Sequence, residues 1–246
     1  MNDPDLALIR SLASYEEAYV GTPLITVCIP TYQRAHILSE RSLPTVLRQS
    51  YTNWEAIIVG DACQDDTASR IAALGDPRLH FYNRPVNGPY PDEPRRRWLV
   101  AGTYPGNEAL SRARGRWIAG MNDDDEWTDD HLAVLLAHAQ RTRAELVYGR
   151  MRVAIHGTGQ ESSFGNWPMQ HGDFGFQAAI YHGDLRAFRL DIAAHELDEP
   201  ADWNLARRML SAGVRASFVP RVVGTYHLAA NHPGQEWWSK RASGAT

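Results

Sequence analysis

Residues 121–127 read Met-Asn-Asp-Asp-Asp-Glu-Trp, three aspartates and a glutamate in succession directly after the apolar run Arg-Trp-Ile-Ala-Gly. At an effective dielectric of about 20, two carboxylates roughly 4 Å apart repel by about 4 kcal/mol. Such a cluster either splays into water ahead of a helix, whose positive end favours acids, or gathers around a hard divalent cation. Mg2+ and Mn2+ suit carboxylate oxygens, and Mg2+ completes its shell with water and phosphate oxygens. The second reading therefore brings a phosphorylated ligand with it. Asp129 and Asp130, after Thr128, are expected in the first turn of a helix, which leaves Asp123, Asp124 and Asp125 for chemistry. Comparable polar groups close other apolar runs: Pro30-Thr31-Tyr32-Gln33-Arg34, then Gly60-Asp61, and His227 near the end of the chain.

The elements that would hold these groups alternate. Asp3 and Pro4 mark the start of a leading helix over the first twenty residues, with Leu6, Ile9, Leu12 and Ala13 on one face. Residues 24–30 and 54–61 are short β-branched runs that read as buried strands, and residues 78–83 as a third. Helices are expected over 36–50, bent near Pro44, and over 65–74, closed by Gly75. Residues 84–98, rich in Pro, Gly and charge, read as a long loop. A helix from Asn107, a strand over 116–121 and a helix opened by Thr128 follow. This order predicts an α/β fold with a mainly parallel sheet covered on both faces, whose ligands collect beyond the carboxyl ends of the strands. The second half offers strands near 145–155, 174–182 and 215–228 around one helix over 202–213.

The 246 residues are 43% apolar and 22% charged with net charge −4, enough for one compact domain and without the basic excess of a nucleic-acid binder. The N-terminus lacks the basic region and unbroken apolar stretch of a signal peptide, and no segment reaches membrane-spanning length. Two cysteines, Cys28 and Cys63, give neither a disulfide framework nor metal-ligand spacing, which favours a reducing, cytoplasmic setting.

Taken together, residues 25–34, 47–67, 107–127 and 201–213 resemble the glycosyltransferase family 2 pattern over roughly residues 23–228. That resemblance implies a GT-A-like, Rossmann-type single domain, inverting chemistry and a nucleotide-sugar donor, with a UDP-sugar expected ahead of dTDP- or GDP-sugars. The implied layout is a helical extension over 1–22, a donor half over 23–125, an acceptor and catalytic half over 126–228, and a tail over 229–246.

In the same terms, Pro30, Thr31 and Tyr32 receive the base, and Tyr32 has a ring that can stack on it. Arg34 reaches the donor, Asp61 bonds the base and Asn107 contacts the donor. Asp123 lies near the ribose or phosphate, and Asp124, Asp125 and His227 hold Mn2+ or Mg2+. Asp202 is the general base, a role set against that of a helix N-cap. The chain departs from the family pattern where Gly60, Asn122 and Ala201 stand for acids and Gly106 for an arginine, a charge that one of Arg95, Arg96 or Arg97 would replace. Trp167, Trp237 and Trp238 are candidates for a sugar platform.

Expected partners are the donor and a hydroxyl acceptor that is a glycan, a lipid-linked glycan, a protein or a metabolite, met in the cytoplasm or at the membrane surface. No nucleic acid or membrane span is expected, and the sequence leaves the oligomeric state open. Two rivals remain: a sugar-phosphate nucleotidyltransferase, which would normally carry a glycine-rich loop where residues 30–36 have no glycine, and a non-catalytic nucleotide- or carbohydrate-binding protein.

Overall fold

Ile25–Thr31 (β1) and Trp54–Gly60 (β2) are buried along almost their whole length and run parallel, from Ile25 opposite Trp54 to Thr31 opposite Gly60. Burial on both faces is what an apolar, β-branched run specifies. The structure, a computed structural model, describes residues 4–155 and 161–228. Leu79–Asn83 (β3) and Trp117–Gly120 (β4) extend the parallel sheet on either side. Among the described residues the sheet order is β3-β2-β1-β4-β8-β6-β9-β5, where β5 is Glu126–Trp127, β6 Leu146–Ile155, β8 Ala179–His182 and β9 Ala216–Leu228; β7, Glu161–Phe164, pairs with β6. β8 runs antiparallel to both β4 and β6, whereas β6 and β9 are parallel over ten positions of β6.

Two features of this order place the site. The chain leaves β1 for β2 on one side and returns to β4 on the other, so β1 and β4 flank the topological switch point where ligands bind in open α/β sheets. In β9 the register slips as Gly149 and Arg150 face Val219 and Val222, which leaves Pro220 and Arg221 unpaired; a second slip follows at Val223. Pro220 lacks an N–H, and a bulge is where a strand tolerates it. Beyond the bulge β9 lies antiparallel against Glu126–Trp127, immediately after the aspartate cluster.

The helices differ from expectation in five places. The leading helix is two short ones, Leu6–Arg10 (α1), capped by the Asp5 carboxylate, and Ala13–Glu17 (α2). Both are anchored through Glu145, whose fully buried carboxylate accepts from Arg10 Nε and Nη2 at 2.7 and 2.8 Å, from the Tyr15 hydroxyl and from the Arg215 amide at 2.8 Å. The segment after β1 comprises Ala35–Ile37 (α3) and Leu43–Leu47 (α4), joined by a π-turn over Leu38–Ser42 just ahead of Pro44. The helix over Thr67–Ala73 (α5) follows β2 as expected. Within the stretch read as loop, Pro94–Val100 is helical (α6): Pro94 occupies the first position, and the Glu93 carboxylate accepts from the Arg95 and Arg96 amides. Glutamate is not among the usual N-cap residues, which hides this start from the sequence.

Thr103–Arg112 (α7) begins four residues before Asn107, entered through Gly102 at φ +81°, where its missing Cβ is needed. His131–Thr142 (α8) starts three residues after Thr128; Asp129 and Asp130 precede it and pair with Arg48 and Arg221. Ala201–Ser211 (α9) matches the expected helix. Among the described residues no helix is long and apolar enough to cross a membrane.

Candidate active site at the β1–β4 switch point

Thr31 ends β1, and its hydroxyl donates to Asp123 Oδ2 at 2.8 Å, tying the first strand to the loop that follows β4. Arg34, three residues on, places Nη1 3.2 Å from Asp123 Oδ1 and in direct contact with Asp124 Oδ2. Between them Gln33 adopts φ +52° and accepts through Oε1 from the amides of Gln64 and Asp65, binding the loop after β1 to the loop after β2. The cluster thus resolves its repulsion by dividing its members among different partners. Asp123 is almost buried, and burial, opposed by Arg34, pushes its pKa up to about 6.

Asp125 is fully buried: Oδ2 accepts from the Asn122 amide at 2.8 Å and Oδ1 from the His227 amide at 2.9 Å. Burial, with the charge of Asp124, raises its pKa well above the usual carboxylate range. Both oxygens of Asp125 are thus engaged within the protein. His227 Nε2 lies 2.6 Å from Glu126 Oε2, so its ring too faces a neighbour other than Asp124. Asp124 keeps an outward-facing carboxylate, 26% exposed, and Arg41 donates to its carbonyl at 3.1 Å. Among the described residues no three His, Cys, Asp or Glu side chains converge to hold an ion. One exposed hard-oxygen ligand still fits Mg2+ or Mn2+, which often take one or two carboxylates and fill the rest with water and phosphate oxygens.

On the other side of β1, Tyr32 is half exposed. Asp61, at the end of β2, is buried against the Arg84 guanidinium and accepts from the Gly88 amide at 3.2 Å. With the Asn87 amide oriented to suit its neighbours, it donates to Asp61 Oδ2 at 2.9 Å and its oxygen lies 3.3 Å from the Tyr32 hydroxyl. The Tyr90 phenol is held protonated by its burial and by Asp61. Arg84 and Asn87 were not among the residues expected from sequence; their signal would have been their place directly after β3. Pro30 packs close to Gly102.

Asn107 does not face this pocket. Its amide donates to the Leu190 carbonyl at 2.9 Å and accepts from the Leu190 amide at 3.0 Å, bracing α7 to the chain before α9. A Cβ at Gly106 would lie 2.8 Å from Leu190 Cδ1, so α7 packs closely on Leu190 here. Arg95 pairs with Asp198, and Arg97 bonds the Pro91 carbonyl.

Asp202 lies inside the first turn of α9, where Pro200 is the N-cap residue, and its Oδ1 accepts from the Trp203 amide at 2.8 Å. Burial raises its pKa, opposed by the amides of Trp203 and Phe176. Tyr226, beyond the β9 bulge and also missed from sequence, joins the two halves: burial and the charges of Asp125, Asp124 and Asp202 together push its phenol well above its ordinary value. The acid cluster and Asp202 therefore lie within electrostatic range of one side chain. His171 stacks on Trp203 at 5.8 Å beside them, and Trp167 is exposed. Trp237 and Trp238 fall outside the described residues.

The sequence model for glycosyl transferase family 2 matches residues 26–90 and 106–195. WcaA of Escherichia coli strain K12, provisionally named a colanic acid biosynthesis glycosyl transferase, is 36% identical over 123 residues, 49% of this chain and 39% of that protein. WfgD of Escherichia coli, a UDP-Glc:alpha-D-GlcNAc-diphosphoundecaprenol beta-1,3-glucosyltransferase, is 28% identical over 131 residues, 53% of this chain and 46% of that protein. The chain thus spans less than half the length of these relatives. Among solved structures, residues 1–349 of S. aureus TarS in complex with UDP superpose with a TM-score of 0.66 at 16% identity, covering 83% of this chain and 60% of that one.

Proposed function

From a chain that belongs to glycosyl transferase family 2, we propose a metal-dependent, inverting transfer of a sugar from a UDP-sugar to a hydroxyl of a lipid-linked glycan, at the cytoplasmic membrane surface. The observation that carries this reading is the convergence at one switch point of an exposed ring, Tyr32, a hydrogen-bonding carboxylate, Asp61, and the Arg34–Asp123–Asp124 group. These are the chemistries that a base, a sugar-phosphate and a cation require. UDP is the nucleotide named for the TarS complex, and WfgD is named for UDP-Glc and a diphosphoundecaprenol acceptor.

In this reading Tyr32 stacks on the base and Asp61 accepts from it. Arg34 faces the diphosphate, and Asp123, held by Thr31, orients the ribose side. Asp124 would hold Mg2+ or Mn2+ with the donor's phosphate oxygens; the ion supplies positive charge to the departing diphosphate. Asp202 accepts the proton of the acceptor hydroxyl as its oxygen attacks the anomeric carbon opposite the leaving group. The residues over 23–125 form the donor half and those over 126–228 the acceptor half.

Release of nucleotide from UDP-, dTDP- and GDP-sugars, with and without Mn2+, tests the reading. UDP release that needs Mn2+ and is lost in Asp124→Ala is expected. Binding without turnover across acceptors would instead favour a binding protein, and pyrophosphate exchange a nucleotidyltransferase.

A further inference from the structure

Asp125 is engaged by Asn122 and the His227 amide, whereas the guanidinium of Arg34 spans Asp123 and Asp124. An ion that uses Asp124 binds the same carboxylate whose Oδ2 Arg34 now contacts, and so meets the guanidinium's charge at close range. We propose that Arg34 is a resident counter-cation: it competes with the divalent ion for Asp124 and moves onto the donor's diphosphate as the ion enters, so that ion and nucleotide bind cooperatively. This rests on the metal-dependent reading of the same site.

Three observations support the movement. The Arg34 side chain is nearly half exposed, so its arm is not locked by packing. It stands at the end of a loop fixed by Gln33, which anchors its backbone at the mouth of the cleft while leaving its head to exchange partners. A guanidinium matches phosphate as well as carboxylate in geometry, so it loses little by the exchange. Asn122, an amide, adds no further negative charge beside the two carboxylates that Arg34 spans. Linkage then requires reciprocity: whatever nucleotide adds to ion affinity, the ion adds to nucleotide affinity.

The test measures Mn2+ binding to the full chain by electron paramagnetic resonance, first with Mn2+ alone and then with UDP or GDP added, for the native protein, Arg34→Gln and Arg34→Lys. With Mn2+ alone, Arg34→Gln should bind about tenfold more tightly, the order expected when a unit charge roughly 5 Å from a divalent ion is removed even at the dielectric of water. The gain in Mn2+ affinity on adding nucleotide should shrink in Arg34→Gln and persist in Arg34→Lys. Equal or weaker Mn2+ binding in Arg34→Gln, or an unchanged nucleotide effect, overturns the role given to Arg34 while leaving the metal-dependent reading standing. Absence of Mn2+ binding from all three proteins with nucleotide present overturns both.

Discussion

Asp202→Asn gives the sharpest test of the catalytic half. Asparagine has the same shape, and its Oδ1 can still accept from the Trp203 amide, a bond of 2.8 Å in the native chain. The fold should therefore be retained. Because burial raises the native carboxyl's pKa, its ionisation at neutral pH opposes folding, and the neutral amide should leave the melting temperature equal or slightly higher. On the proposed assignment the variant loses the proton acceptor, worth roughly 10²–10⁴ in rate, or about 3–5 kcal/mol of barrier. The native enzyme's transfer should rise as pH climbs through the raised pKa and level off above it, since only the ionised carboxylate accepts a proton. The variant should lack that limb. Transfer is followed by UDP release with a lipid-linked acceptor, and donor affinity by calorimetry with UDP and Mn2+. Transfer within about threefold of native, or a collapse of UDP affinity with the fold intact, would refute the assignment.

Glu145→Ala should cost about 3 kcal/mol, the low end for breaking a buried pair because Arg10 is a third exposed, which lowers the melting temperature by roughly 6–12 °C. The Glu145 pKa is lowered even though burial, its largest influence, opposes this, because Arg10 and the Arg215 amide prevail; its stabilisation is thus present above the ordinary carboxylate pKa and lost as pH falls through the depressed one. Melting curves of the two proteins should converge in acid. Tyr32→Ala should weaken UDP binding by about 1–3 kcal/mol, the usual value of a stacked base, without a change in melting temperature, since the ring is half exposed. Asn107→Ala should do the reverse: two lost bonds to Leu190 destabilise by about 1–3 kcal/mol, while UDP affinity measured below the melting transition stays within twofold of native.

The first two strands were legible because burial on both faces writes itself as unbroken β-branched runs: residues 24–30 and 54–61 predict β1 and β2 almost to the residue. β5 was not legible, since two residues carry no period, and their pairing partner Gly224–Thr225 lies nearly a hundred positions away. The same distance hid Tyr226. Nothing local to residues 215–228 tells that slips at Pro220–Val223 carry the strand's end across to the aspartate cluster. Asn107 shows the converse: a family position suggests the donor, while its amide is bonded to Leu190, a contact set by tertiary structure alone.

The aspartate cluster shows how far residue type can be pushed. Four adjacent acids predict a shared cation only if their side chains point the same way, and backbone geometry decides that. Here Asp125 turns inward to hold the amide of His227, Asp123 turns to Thr31, and Glu126 faces His227 across the β5–β9 pair. Two of these bonds attach the cluster to β9 and one to β1. These neighbours are therefore the ones that fix Asp124 between β1 and the strand bearing Tyr226. On the proposed reading, a single ligand held this way suits an ion that arrives with its nucleotide and leaves with it, because a full carboxylate cage would retain the ion after the nucleotide departs.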